Sequence, residues 1–170
     1  SANNLSKLGL TPHVIIGDMD SIDSKYEFNG LKIHDNNTEN SDLEKALNWV
    51  IMSNVSDITV LGSTGLREDM TLANLHILFH YYDKISIKLI TDHFTVTCHK
   101  GEQSFDSFHG ENVSLFAQKL DSIVTTKSLK YQLKDSSISP PQKGISNQST
   151  GSTFSVECSD PILVFRGHTK

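Results

Sequence analysis

The hydrophobic period of this chain changes near residue 92, and that change limits the folds open to it. Before it, short apolar runs alternate with helical spacing. Val14–Ile16, Ile58–Leu61 and Ile85–Ile90 read as strands, while residues 41–53 and 68–82 carry apolar side chains three and four apart. Ser41 and Glu44 form a capping box at the start of the first helix. Such alternation predicts a largely parallel, Rossmann-like α/β sheet. Beyond residue 92, Phe94–Cys98, Val113–Phe116, Ser122–Thr126, Thr153–Glu157 and Ile162–Phe165 alternate with period two between turns. They predict an all-β sandwich. The expected division is therefore an α/β domain over 1–92 and a β domain over 93–170. Residues 136–149, rich in Ser, Pro and Gln, read as a long loop. A doubly wound domain seldom opens on a helix fragment such as Asn3–Leu8, so a strand is expected ahead of it.

Charge excludes some partners. The net charge is −5 with no basic tract, which argues against nucleic acid, since phosphate-backbone binding needs clustered Lys and Arg. No apolar stretch approaches the roughly 20 residues that span a bilayer, so no membrane is expected. Cys98 and Cys158 stand far apart and read as buried, reduced thiols, which points to a cytoplasmic protein.

Three acidic clusters follow strands or open helices, where α/β proteins place their chemistry. Asp18 and Asp20 lie just past the first strand, two apart, so both carboxylates can face one ion; the same residues also suit a plain turn. Asp42 and Lys45 share a helix face, with Glu39 upstream as a possible third carboxylate, yet Asp42 also fits a helix first turn by the dipole alone. Gly62-Ser63-Thr64-Gly65-Leu66-Arg67-Glu68-Asp69 joins a strand to a helix. Its glycines allow backbone N–H groups to approach an anion, and Arg67 can contact phosphate in bidentate fashion. It lacks the ending of a Walker A loop. Carboxylates gathered around phosphate suggest Mg²⁺. His76 and His80 are spaced as metal ligands can be, but no companion motif surrounds them, and they read as surface or partly packed side chains.

Taken together, these segments resemble the thiamine pyrophosphokinase family. Val14–Ile22 (VIIGDMDSI) resembles its first acidic loop, Glu39–Leu47 its second acidic motif, and Leu61–Asn74 (LGSTGLREDMTLAN) its Gly-rich loop and following helix. Leu129-Lys130-Tyr131 and Gly144-Ile145-Ser146-Asn147 resemble the thiamine-side motifs. The resemblance implies an α/β nucleotide domain with a β-sandwich, acting as a homodimer. It implies transfer of the β,γ-pyrophosphoryl group of ATP to the hydroxyethyl oxygen of thiamine, with release of AMP. By matched position Asp18, Asp20 and Asp42 would hold Mg²⁺. Ser21, Ser41, Lys45, Gly62, Ser63, Thr64, Gly65 and Arg67 would line the ATP site. Asp69 would join Lys45 and Arg67 there, and Asp69 or Asp20 would accept the alcohol proton. Tyr131, Ser146 and Asn147 would form the thiamine pocket.

The chain departs from the family in lacking an opening strand with Asp-Gly-Ala, in Glu39 for Asp, and in Leu66 for a second glycine. Two other readings stay open on sequence alone. A Mg²⁺ phosphohydrolase would use Asp18 as covalent nucleophile, and a non-catalytic module would bind thiamine or nucleotide without releasing AMP.

Overall fold

The computed structural model describes residues 2–20, 22–23 and 28–168. They form two compact units, residues 1–55 and residues 56–170.

In the first unit, helix α1 (Ala2–Lys7) precedes strand β1 (Val14–Gly17), β2 (Leu31–His34) and helix α2 (Asp42–Met52). β1 and β2 pair in parallel, with Val14 opposite Leu31 and Gly17 opposite His34. β2 carries too few apolar side chains to announce itself in sequence; its Leu31 and His34 are exposed. α2 begins where the capping box places it. The Ser41 hydroxyl accepts the Glu44 N–H at 3.3 Å, and the Glu44 carboxylate accepts the Ser41 N–H at 2.9 Å. Two of the four orphan donors of the helix start are thereby satisfied. α2 packs on β1 and buries Leu47.

The second unit is built on one mixed sheet. Its strands are β3 (Asp57–Leu61), β4 (Ser86–Ile90), β5 (Phe94–Asp106), β6 (Asn112–Ala117), β7 (Ile123–Lys127), β8 (Ser136–Ser137), β9 (Asn147–Gln148) and β10 (Thr153–Gly167). The hydrogen-bonded order is β3-β4-β5-β10-β6-β9, with β7 pairing β10 and β8. β3 and β4 are parallel, joined through helix α3 (Glu68–Tyr81), which packs against β4, β5 and β10. From β4 onward the pairing is antiparallel: Leu89 faces Val96 and Ile90 faces Thr95. The sheet therefore runs without a break through residue 92, where the hydrophobic period changes.

β10 differs most from its sequence expectation. Thr153–Glu157 and Ile162–Phe165 read as two strands, but they form one, irregular between Cys158 and Ile162 where its register against β5 shifts. Ser159, Asp160 and Pro161 interrupt the alternation there, and Pro161 donates no ladder bond. Alternate residues Phe154, Val156, Ile162 and Val164 bury against Leu115, Val124 and Leu129 to make the core. Phe105 stacks on Phe154 with ring centroids 4.9 Å apart, an arrangement worth about 0.5–1.5 kcal/mol beyond area burial. The long loop expected over 136–149 is ordered by β8, a short 3₁₀ turn at Pro141–Lys143, and β9.

Candidate active site

The acidic site of the first unit is assembled on Gly17. This residue closes β1 with φ +146°, and a Cβ built on it would lie 3.1 Å from Asp42 Oδ1. Glycine is favoured by the backbone conformation, and the Asp42 carboxylate packs close over its Cα. Asp42 at the start of α2 thus sits against the residue immediately before Asp18. Met19 adopts φ +67°, and Asp20 N–H donates to Asp18 Oδ1 at 3.1 Å. Both aspartates are exposed.

Lys45 holds this arrangement from below. It is only 7% exposed, and its ammonium donates to the Asp35 carbonyl at 2.9 Å while lying 3.6 Å from Asp42 Oδ1. Asp35 N–H in turn donates to the Gly17 carbonyl at 3.0 Å. One buried cation therefore ties the ends of β1 and β2 to the first turn of α2. The His34 ring contributes a further contact, Nε2 to the Asp18 carbonyl at 2.9 Å. The parts of this arrangement missed in sequence are Gly17 as a seat, His34, and the Asp35 carbonyl. Only Gly17 carried a signal, as a glycine between a strand and an acidic pair.

Other predicted residues are less engaged. Ser41 spends its hydroxyl on the capping box, which contains a 3.0 Å bond to Glu44 Oε2. Glu39 is exposed and donates its N–H to Asn37 Oδ1 at 2.8 Å. Ser21 lies outside the described residues. Among the described residues, no group of three or more His, Cys, Asp or Glu side chains is gathered closely enough to hold a metal ion by itself.

The Gly-rich loop lies in the second unit. Gly62 and Gly65 take φ +66° and +94°. Asn74 Nδ2 donates to the Ser63 carbonyl at 2.7 Å, fixing the loop to α3. The Ser63 hydroxyl is buried and has no hydrogen-bond partner among the described residues, and Thr64 beside it is half-buried. Arg67, the N-cap of α3, turns its guanidinium onto Asp69: Nε to Oδ1 at 3.1 Å and Nη2 to Oδ2 at 2.5 Å. Hydrogen bonds from Arg67 hold the Asp69 carboxyl below its ordinary range, and those same bonds raise the arginine. The pair is exposed, and Arg67 lines a groove of ≈ 330 Å³ between the loop and Thr71, Leu72 and Leu75 of α3. A second cavity, of ≈ 350 Å³, holds none of the predicted residues. Tyr82, Lys84, Thr97, Cys98 and His99 help to line it, and burial pushes the Cys98 thiol up to about 12.

On the predicted thiamine side the three residues divide by role. Asn147 is 3% exposed, and its amide is spent on backbone. Oδ1 accepts Tyr131 N–H at 3.0 Å and Gln148 N–H at 2.9 Å, and Nδ2 donates to the Tyr131 carbonyl at 2.6 Å. Tyr131 is 61% exposed, with Lys130 Nζ 5.4 Å from its ring centroid. Ser146 is exposed at φ +57°, its N–H donating to Ser114 Oγ at 3.1 Å. Asn147 holds, while Tyr131 and Ser146 are presented. His76 and His80 are exposed on α3, His76 with its ring edge-on to Phe79 at 5.8 Å, as their spacing without a companion motif implies.

The first unit bears an acidic loop at the end of a parallel strand pair, and the second a Gly-rich strand-to-helix turn ahead of a β-rich half, an arrangement that suits a two-domain enzyme acting on phosphate. The family models agree on both halves: "Thiamin pyrophosphokinase, catalytic domain" matches residues 1–90, and "Thiamin pyrophosphokinase, vitamin B1 binding domain" matches residues 93–163. The chain belongs to the thiamin pyrophosphokinase family, and it is an enzyme of that activity. Solved structures share the fold. Thiamine pyrophosphokinase from Bacillus subtilis superposes with TM-score 0.84 at 22% identity, over 98% of this chain and 83% of that one. The Candida albicans enzyme gives 0.84 at 20%, over 97% and 76%, and the yeast enzyme 0.78 at 17%, over 96% and 72%. A search of curated protein sequences found no match.

Proposed function

We propose that this enzyme transfers the pyrophosphoryl group of ATP to the hydroxyl of thiamine, yielding thiamine diphosphate and AMP, with Asp18, Asp20 and Asp42 as candidate ligands for the Mg²⁺ that would meet the ATP phosphates. The observation that carries the assignment is the Asp42 carboxylate seated on Gly17, beside Asp18 and fixed by buried Lys45. The donors fit Mg²⁺. They are all hard oxygens on exposed side chains, and this ion commonly takes only one or two carboxylates, completing its shell with water and substrate phosphate. Asp18, Asp20 and Asp42 are the candidates to hold it, one or two of them at a time, and when bound it would supply positive charge against the phosphate oxygens.

The remaining residues have separable tasks. Lys45 orients Asp42 and neutralises charge behind it, its ammonium being occupied by the Asp35 carbonyl. The unpartnered Ser63 hydroxyl and the two positive-φ glycines suit a loop that accepts an anion. Arg67 exchanges its Asp69 partner for a phosphate oxygen pair with the same bidentate geometry. Asp69 or Asp20 accepts the alcohol proton. On the acceptor side, Tyr131 and Ser146 contact thiamine, and Asn147 fixes the backbone that presents them. A parallel nucleotide-binding sheet, a thiamine-binding β-sandwich, a homodimer and a cytoplasmic location complete the proposal; no helix among the described residues is long and apolar enough to cross a membrane.

The deciding experiment measures thiamine-dependent AMP release with Mg²⁺. Wild type should release AMP only when thiamine, ATP and Mg²⁺ are all present. AMP release without thiamine, or a phosphoenzyme on Asp18, would make it a hydrolase instead.

A further inference from the structure

We propose that buried Glu111 and its half-buried partner Arg166 form a positioning device that sets the register of β9 and so presents Tyr131 and Ser146 to the acceptor. It rests on the thiamine-side reading above. β9 is two residues long, too short to fix its own register by ladder bonds, and a one-residue slip would turn Asn147 to the opposite face. Something outside the strand must pin it.

Glu111 does so from the start of β6. It is 2% exposed, and its carboxylate accepts Arg166 Nε at 3.0 Å and Nη2 at 3.3 Å, together with the Ser107 hydroxyl. Arg166 Nη2 also donates to the Asp106 carbonyl, and the guanidinium lies 5.6 Å from the Phe105 centroid and 5.9 Å from that of Phe154. A carboxylate so placed resists displacement, because leaving its partner strands a buried charge. The Glu111 backbone then begins the ladder. Ser149 N–H donates to the Glu111 carbonyl at 2.9 Å, and Gly110 N–H to the Ser149 carbonyl at 2.8 Å. Asn112 next faces Gln148, and Val113 faces Asn147. Asn147 closes the path on Tyr131.

The test uses the full chain, with hydrogen exchange at the Tyr131 amide and calorimetric titration of thiamine and of Mg·ATP. Glu111→Ala should speed Tyr131 exchange and weaken thiamine binding roughly tenfold, leaving Mg·ATP affinity within about twofold. Glu111→Gln, which can still accept from Ser107 and Arg166, should restore most of the loss. Unchanged exchange in folded Glu111→Ala overturns the device, as does equal weakening of both ligands. If Glu111→Ala does not fold, Arg166→Lys keeps the charge, loses the fork, and should show the same split at smaller size; no split overturns the proposal. Faster exchange with thiamine affinity intact defeats the acceptor-site reading and this inference with it, while the strand register stands.

Discussion

The acidic loop of the first unit and the Tyr131–Asn147 region of the second solve one problem in opposite ways. In the first, a charged side chain is buried so that other charged side chains can stay out: Lys45 is enclosed, while Asp18, Asp20 and Asp42 face solvent. In the second, neutral amide bonds hold the backbone, and the exposed groups are an aromatic ring and a hydroxyl. On the proposed function the difference follows from the ligands. A polyphosphate needs charge that is already oriented, since transfer rests on positioning and electrostatics. A flat organic cation needs shape and a polarizable face, which a rigid neutral frame provides. Sequence motifs in both regions therefore mix exposed side chains with buried ones that hold them in place.

The strongest way to break this comparison is to remove charge without removing shape. Asp42→Asn should lower thiamine-dependent AMP release by on the order of 10²–10³-fold, with circular dichroism unchanged because the side chain is exposed. A smaller loss would show that Asp42 only caps its helix. Gly17→Ala attacks the same seat through the backbone. A methyl 3.1 Å from Asp42 Oδ1 at φ +146° should destabilise by roughly 1–3 kcal/mol and raise the Mg²⁺ concentration needed for half-maximal rate. A normal Mg²⁺ requirement would mean that Asp42 can shift freely. Lys45→Met keeps the stem but strips the Asp35 carbonyl of its donor. It should cost about 1–3 kcal/mol in denaturant titration, and its kinetic defect should be smaller than that of Asp42→Asn. Equal defects would make Lys45 a ligand-contacting group.

The same division explains what the sequence made legible. α2, β3, α3 and β4 were readable because local periodicity and one capping box decide them. The union of two expected strands into β10 was not, since a bend through Ser159–Pro161 looks like a turn until its partners β5 and β6 are known. Nor was the continuity of the sheet through residue 92, which depends on the antiparallel step from β4 to β5. In the site, the motif residues could be named, but the contacts that hold them could not. Asp42 on Gly17, Lys45 on a carbonyl and Asn147 on the Tyr131 backbone are contacts between distant positions. Glu111 and Arg166 had no motif at all, because an ion pair separated by 55 positions leaves no local pattern.

On the neutral side the corresponding test is Asn147→Ala. It removes bonds to both backbone groups of Tyr131 and should destabilise by about 1–3 kcal/mol. The KM for thiamine should rise more than the KM for ATP, because the frame is lost while the acidic loop is untouched. A parallel rise in both would mean that Asn147 supports the whole unit rather than its thiamine end.

The smallest effect is expected at Arg67–Asp69, and its sign can be worked out. Folding lowers the Asp69 carboxyl below 3.8, chiefly through the Arg67 hydrogen bonds. Its contribution to stability is therefore full above that value and is lost as pH falls through the lower folded-state value. Both side chains are more than 60% exposed, so solvent and salt screen the pair and the contribution is slight. Asp69→Asn should leave thermal stability at pH 7 nearly unchanged and flatten the acid limb of the stability curve below pH 3.8 by a small amount. Its larger signature should be kinetic: with its intramolecular partner gone, Arg67 is free to meet phosphate, so KM for ATP should stay level or fall. A steep rise in that KM would show instead that Asp69 contacts the nucleotide directly, and the exposed pair would then belong with the charged side chains that touch rather than those that hold.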